Sequence, residues 1–169
     1  MEQRVKFNTE LIKRYDVAGP RYTSYPTAVQ FKEGFDAEAY RRHTDASNNE
    51  LIPKPLSLYV HLPWCVRKCP YCDFNSHVRA SIDQSVWAQA LTKEISRTGA
   101  QTGPRVLTSI FFGGGTPSLM EPETVGAVLS AARDVWSFSN EIEITREANP
   151  TSVEAYRFEG CAKLGVNRV

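Results

Sequence analysis

The run Val106-Leu-Thr-Ser-Ile-Phe-Phe112 carries no charged side chain and stops abruptly at Gly113-Gly-Gly-Thr-Pro117. A strand this apolar along its whole length belongs in a sheet covered on both faces, the habit of parallel sheets built from strand–helix–strand units. Such units flank it on both sides. Upstream, Leu56, Leu58 and Val60 alternate with Ser57, Tyr59 and His61 until Pro63, which predicts a half-buried strand. Between these two strands lies a helix that Asp83 or Ser81 can cap, with Trp87, Leu91 and Ile95 four residues apart and Gly99 as its end. Downstream, Pro122 stands near the start of a second helix with the apolar face Val125, Val128, Leu129, Ala132 and Trp136. Glu141–Glu147 alternates as a third strand, Thr151 and Glu154 form a capping box for a helix that closes at Gly165, and Val166 opens a fourth strand.

This order predicts an α/β fold in which right-handed crossovers build a parallel sheet or barrel. In such folds the working groups collect at the carboxyl ends of the strands. Three unusual features fall there: a cysteine cluster after the first strand, the glycines after the second, and Glu147-Ala-Asn-Pro150 at the end of the third. Residues 1–55 are different. They contain Pro20, Pro26, Pro53 and Pro55 and one helical candidate, Asp36–His43, and read as an extension or strap preceding a core at 56–169.

Charge and hydropathy narrow the partners. With 20 basic against 19 acidic residues there is no electrostatic case for nucleic acid or an anionic membrane. No window approaches the ~18 apolar residues of a membrane span. Charges at Glu2, Arg4, Lys6, Glu10, Lys13, Arg14 and Asp16 are foreign to a signal peptide, so a cytoplasmic location is expected. In that compartment four cysteines are not expected to pair.

Three of them crowd into Cys65-Val-Arg-Lys-Cys69-Pro-Tyr-Cys72. Thiolates spaced C-x3-C-x2-C can point inward from one loop, and a 4Fe–4S cube held by three of them keeps one iron open to a small ligand. Zinc with His61 or His77 as fourth ligand is the competing reading. Cys161 could complete a four-thiolate cluster, but it flanks the apolar stripe Val153, Tyr156 and Leu164 and reads as a buried structural thiol. Arg67 and Lys68 would offset a cluster's negative charge or simply be solvated. Gly113-Gly114-Gly115 permits close backbone approach to a ligand, or only a tight turn. Glu147 shares a strand face with Glu143 and Thr145 and could accept hydrogen bonds from a sugar or an ammonium group. Tyr59 and His61 share a face next to the cysteine loop, where packing with a satisfied polar tip is the plainer role. Arg146 falls on the apolar face of the third strand with Ile142 and Ile144, where it must find a carboxylate or weaken the strand.

Taken together, Tyr59-Val-His-Leu-Pro-Trp64, the C-x3-C-x2-C segment, Gly-Gly-Gly-Thr-Pro and Glu-Ala-Asn-Pro resemble the radical S-adenosylmethionine proteins of the oxygen-independent coproporphyrinogen oxidase family. Residues 56–169 are similar to its haem chaperone branch, including Cys72-Asp-Phe-Asn-Ser-His77 and Gly165-Val-Asn-Arg168. Gly19-Pro-Arg-Tyr-Thr-Ser-Tyr-Pro-Thr27 instead resembles the amino-terminal strap of the coproporphyrinogen dehydrogenases, whose pattern has a cysteine where this chain has Phe74. The resemblance implies the amino-terminal half of a partial (β/α) barrel with a strap. It implies a 4Fe–4S cluster on Cys65, Cys69 and Cys72, its open iron chelated by S-adenosylmethionine, with Tyr59, Gly114, Gly115, Thr116 and Glu147 lining the cofactor site. As function it implies a chaperone that binds haem as cargo and passes it to acceptor proteins. The alternative is oxidative decarboxylation of coproporphyrinogen III, which requires an electron donor, and a zinc-stabilised α/β module remains a third reading.

Overall fold

The computed structural model describes residues 8–15, 32–72, 74–149 and 155–169. By contact the chain divides into two units, Met1–Ala37 and Glu38–Val169. In the first, the helix α1 (Thr9–Tyr15) is capped by Asn8, whose Oδ1 accepts from the amides of Glu10 and Leu11, both at 3.1 Å. The strap motif Gly19–Thr27 and the capping pair Thr151 and Glu154 lie outside the described residues.

The second unit runs α2 (Ala37–Asn48), β1 (Leu56–Leu62), β2 (Trp64–Cys65), β3 (His77–Val78), α3 (Gln84–Thr102), β4 (Val106–Gly114), α4 (Pro122–Val135), β5 (Ser137–Arg146) and α5 (Ala155–Lys163). The three long strands pair in parallel in the order β1-β4-β5. Their spatial order is their chain order. A right-handed crossover that always steps in one direction puts every connecting helix on the same side of the sheet, and a sheet built that way curls toward a barrel. The core accordingly lies on one face: Val60, Leu62, Leu107, Ile110, Phe112 and Ile144 from the strands meet Ile95 of α3, Val125, Val128, Leu129 and Ala132 of α4, and Cys161 of α5.

The expectation that β4 is covered on both faces is corrected by its burial. Leu107, Ile110 and Phe112 are buried, whereas Val106 and Phe111 stay 46% and 37% exposed. A register shift between Leu107 and Ser109 resets the alternation, and Phe111 stacks on Tyr59 of the neighbouring strand, with ring centroids 6.1 Å apart. The pattern looked continuous because an aromatic residue on the bare face is as apolar as its buried neighbours.

Gly99 does not end α3. The helix continues to Thr102 and is closed by Gly103 at φ 64°, while Gly99 sits against α4, where a Cβ would fall 1.7 Å from Val135 Cγ1. Its role is close helix packing rather than termination. Asp83 is the N-cap: its Oδ1 accepts from Ser85 N at 3.1 Å and Val86 N at 3.2 Å. Trp136, expected on the face of α4, stands just past its end and donates Nε1–H to Thr102 Oγ1 at 2.9 Å.

β5 starts earlier than expected, at Ser137, and the fourth strand is represented by one parallel bridge between Thr145 and Arg168. Asn167 works on that edge like an additional peptide unit: its Oδ1 accepts from Ile144 N and its Nδ2 donates to Ile142 O, both at 2.8 Å. On the helix-covered face of β5, Arg146 is fully buried. It found no carboxylate among the described residues; Nη1 donates to Cys161 Sγ at 3.1 Å and the guanidinium lies 5.2 Å over the Phe158 ring. A buried charge without a counterion costs several kcal/mol, on the order of the penalty for breaking a buried ion pair.

The α3–α4 contact is tested by Gly99→Ala. The added methyl has no room beside Val135, so the variant is expected to lose about 1–3 kcal/mol in denaturant unfolding, the range for overpacking a tight core contact.

Candidate metal centre

β1 ends at Leu62, and after Pro63 the chain makes a second short pairing, β2 with β3 in parallel. His77 N donates to Pro63 O at 2.6 Å and Arg79 N to Cys65 O at 3.0 Å. These bonds close residues 66–76 into a loop whose two ends are fixed, and the loop holds the cysteines. Cys65 is buried at its root, Cys69 is exposed, and Cys72 is half-buried with Sγ 3.5 Å from Ser76 Oγ. Cys72 N donates to Cys69 O at 3.1 Å, a turn that carries both thiols on one short arc. None of the four cysteines is in a disulfide. Among the described residues no three His, Cys, Asp or Glu side chains converge on one point as metal ligands. The donor chemistry still fits an iron–sulfur cube: three thiols outside any disulfide, carried by one anchored loop. Arg67 and Lys68 are exposed on this loop.

The glycine segment is bound to the same structure. Gly115 N donates to Leu62 O at 2.7 Å and Thr116 N to Trp64 O at 2.8 Å, so the end of β4 is tied to the strand that enters the cysteine loop. Gly114 adopts φ +112°, and a Cβ there would meet the His61 ring and Leu62 O at 2.9 Å. At Gly115 a Cβ would stand 2.4 Å from Trp64 O. Two strand ends approach so closely that side chains are excluded, and this internal packing already requires both glycines. Thr116 is buried beside them.

On the bare face, Tyr59, Phe111 and Thr145 form one row across the sheet, and Glu147 follows two residues after Thr145. His61 is committed at both ring nitrogens. Nε2 lies 2.9 Å from Asn75 O, which can only accept, so Nε2 carries the proton and Nδ1 accepts from Tyr59 OH at 3.1 Å. That relay ties β1 to the cysteine loop and takes His61 away from a Cys3His zinc site. His77 Nε2 is likewise 3.1 Å from Asn75 Oδ1. Glu147 is anchored through its amide, which donates to Phe112 O at 3.0 Å, and its side chain is exposed. Partial burial and then the negative field of Glu147 hold the Tyr59 hydroxyl above its ordinary pKa.

The structure thus brings Tyr59, the cysteine loop, Gly114, Gly115, Thr116 and Glu147 to the carboxyl ends of three adjacent strands. Sequence reasoning passed over Asn75 and Ser76, which hold His61 and Cys72. Asn75 acts on His61 through its main chain, which leaves no residue-type signal, and Ser76 offered only its position within Cys72–His77.

The Radical SAM superfamily model matches residues 59–169. Heme chaperone HemW of Haemophilus influenzae is 47% identical over 125 residues, covering 70% of this chain and 33% of that protein. Oxygen-independent coproporphyrinogen III oxidase of Salmonella typhimurium is 32% identical over 169 residues, covering 99% of this chain and 36% of that protein. Among solved structures, coproporphyrinogen III oxidase (HemN) from Escherichia coli, a radical SAM enzyme, superposes with a TM-score of 0.74 at 30% identity, covering 98% of this chain and 36% of that one. The chain spans about a third of the length of these relatives.

Two outcomes test this geometry without any cofactor. Glu147→Gln removes a negative charge beside Tyr59, so the tyrosinate absorbance assigned by comparison with Tyr59→Phe should appear at lower pH than in the parent. Gly115→Ala should open the contact between the two strand ends, seen as lost hydrogen-exchange protection at the Thr116 amide.

Proposed function

Because the chain belongs to the Radical SAM superfamily, we propose that Cys65, Cys69 and Cys72 hold a 4Fe–4S cluster and that the rim of the sheet binds S-adenosylmethionine. When bound, the pair supplies one-electron chemistry at an iron that the three thiolates leave open. The chain's own residues then have definite tasks. The β2–β3 pairing anchors the thiolate loop, and Tyr59 and His61 hold its far side through Asn75 O. Gly114, Gly115 and Thr116 bring the main chain of β4 against that of β1 and β2. They set how closely the methionyl end can approach the peptide groups of the rim. Glu147, exposed at the end of β5, accepts a charge-assisted hydrogen bond from the ribose or the ammonium group.

Within the superfamily, the reading favoured here is a haem chaperone, which binds haem as cargo and transfers it to acceptor proteins in the cytoplasm with an electron donor to reduce the cluster. What carries it is the 47% identity over 125 residues to the heme chaperone of Haemophilus influenzae, a stretch that covers 70% of this chain; the 32% identity to the coproporphyrinogen oxidase of Salmonella typhimurium is taken over 169 residues. Phe74, where the dehydrogenase pattern has a cysteine, supports the same side. The second reading, oxidative decarboxylation of coproporphyrinogen III, is favoured by one observation. The oxidase similarity extends over 99% of the chain, into the amino-terminal region that resembles the dehydrogenase strap.

Three measurements decide. Anaerobic reconstitution with iron and sulfide should give a 4Fe–4S absorption that Cys65→Ala, Cys69→Ala or Cys72→Ala abolishes and Cys161→Ala leaves intact; stoichiometric zinc with no iron uptake would overturn the cluster assignment. Glu147→Gln should weaken S-adenosylmethionine binding by about 1–3 kcal/mol in equilibrium titration while the cluster remains. Haem should bind with a saturable Soret change, and coproporphyrinogen III should stay unconverted under anaerobic reducing conditions. Protoporphyrinogen IX above the cluster-free control reverses the ranking of the two functions.

A further inference from the structure

The loop that carries the cysteines closes on a residue held from both sides. Ser76 is 5% exposed. Immediately before it, Asn75 O accepts from His61 Nε2 at 2.9 Å, and immediately after it His77 N donates to Pro63 O at 2.6 Å. The first bond ties the loop to β1 and the second begins the β2–β3 pairing. Neither neighbour of Ser76 can shift without breaking an anchor of the loop. Its side chain lies inside, with Oγ 3.5 Å from Cys72 Sγ.

The direction of that contact depends on the state of Cys72. While the sulfur is a thiol, either group can donate. A cysteine that ligates iron has lost its proton, and a thiolate only accepts, so the hydrogen between them is then the one on Ser76. A bond to a charged sulfur is stronger than one to a neutral sulfur, and burial keeps water from competing for it. Arg67 and Lys68 lie on the same loop, but they are exposed and salt screens their field. One-electron reduction of an iron–sulfur cube adds negative charge that its sulfur ligands share, and a donor fixed on one of those sulfurs favours the reduced state. Because the main chain holds Ser76 on both sides, its hydroxyl is in place before the electron arrives and little reorganisation is needed.

We propose that Ser76 is a positioning residue that sets the reduction potential of the cluster by donating its hydroxyl hydrogen to the Cys72 thiolate. The assignment rests on the cluster reading above and adds to it which ligand sulfur is tuned and by what group. The balance is one electron from an external reductant and no proton, since Ser76 keeps its hydrogen in both oxidation states.

The test is stepwise potentiometric reduction of the anaerobically reconstituted protein with titanium(III) citrate, without S-adenosylmethionine, followed by the electron paramagnetic resonance signal of the reduced cluster. Ser76→Ala should take up as much iron as the parent and be harder to reduce. Loss of one hydrogen bond should lower the reduction equilibrium constant roughly tenfold, a shift of about 59 mV to more negative potential for a one-electron couple. Ser76→Thr keeps the hydroxyl and should return the potential toward the parent value, whereas Ser76→Val has the same shape without the hydroxyl and should not. Electron–nuclear double resonance should show a coupled exchangeable proton that the parent and Ser76→Thr share and Ser76→Ala lacks. Equal potentials in the parent, Ser76→Ala and Ser76→Val at full iron content overturn the role of Ser76 and leave the cluster reading standing. Iron loss in Ser76→Ala makes the hydroxyl a requirement for assembly instead of a tuner and overturns the proposal too. A parent that takes up no iron overturns the cluster reading itself, and this assignment with it.

Discussion

Two main-chain hydrogen bonds, Gly115 N to Leu62 O and Thr116 N to Trp64 O, hold together everything that points to function. They join the carboxyl end of one strand to the exit of its neighbour at the place where both turn into loops. At Gly114 and Gly115 a Cβ would fall within 3 Å of main-chain atoms of Leu62 and Trp64, so the approach requires glycine at these two positions. The cysteine loop hangs from one partner of this contact, and Glu147, through Phe112 O, is tied to the strand that forms the other. The rim is therefore a hydrogen-bonded strip of backbone, and the side chains proposed to work there are carried on it.

Handedness decides which face the rim opens onto. Because β1, β4 and β5 succeed one another in space as in sequence, the right-handed crossovers stack α3, α4 and α5 on one side. Apolar burial is concentrated there and supplies the free energy of folding. The opposite face keeps Phe111 together with Tyr59, His61 and Thr145, and the polar atoms of these last three are engaged with each other, with the cysteine loop or with Glu143 rather than with the core.

The sequence made the order of elements readable because each strand carries either alternation or a compact apolar run, and each helix a cap or a stripe. The carboxyl-end motifs were readable because cysteine and glycine clusters are rare. What misled was a residue type serving two purposes. Gly99 looks like a helix terminator and is a packing glycine; Phe111 looks like core and lies on the bare face. Arg146 stood out as a charge on an apolar face, but its environment depends on Cys161 and Phe158, fifteen and twelve residues away, whose approach is set by the path of α5. Asn167 stood out only as part of Gly165-Val-Asn-Arg168, and nothing in its residue type told its role, since an asparagine that imitates a peptide unit looks like one in any loop.

The alternation along β1 carries one more consequence. Val60 belongs to the core while Tyr59 and His61, its immediate neighbours, face away from it. Substitutions at odd-numbered positions of this strand act on the bare face and its hold on the cysteine loop with little effect on the buried core, and those at even-numbered positions do the reverse. A lineage carrying such a strand can explore new specificities and repair its stability on separate residues, so the two kinds of change need not compete for the same site.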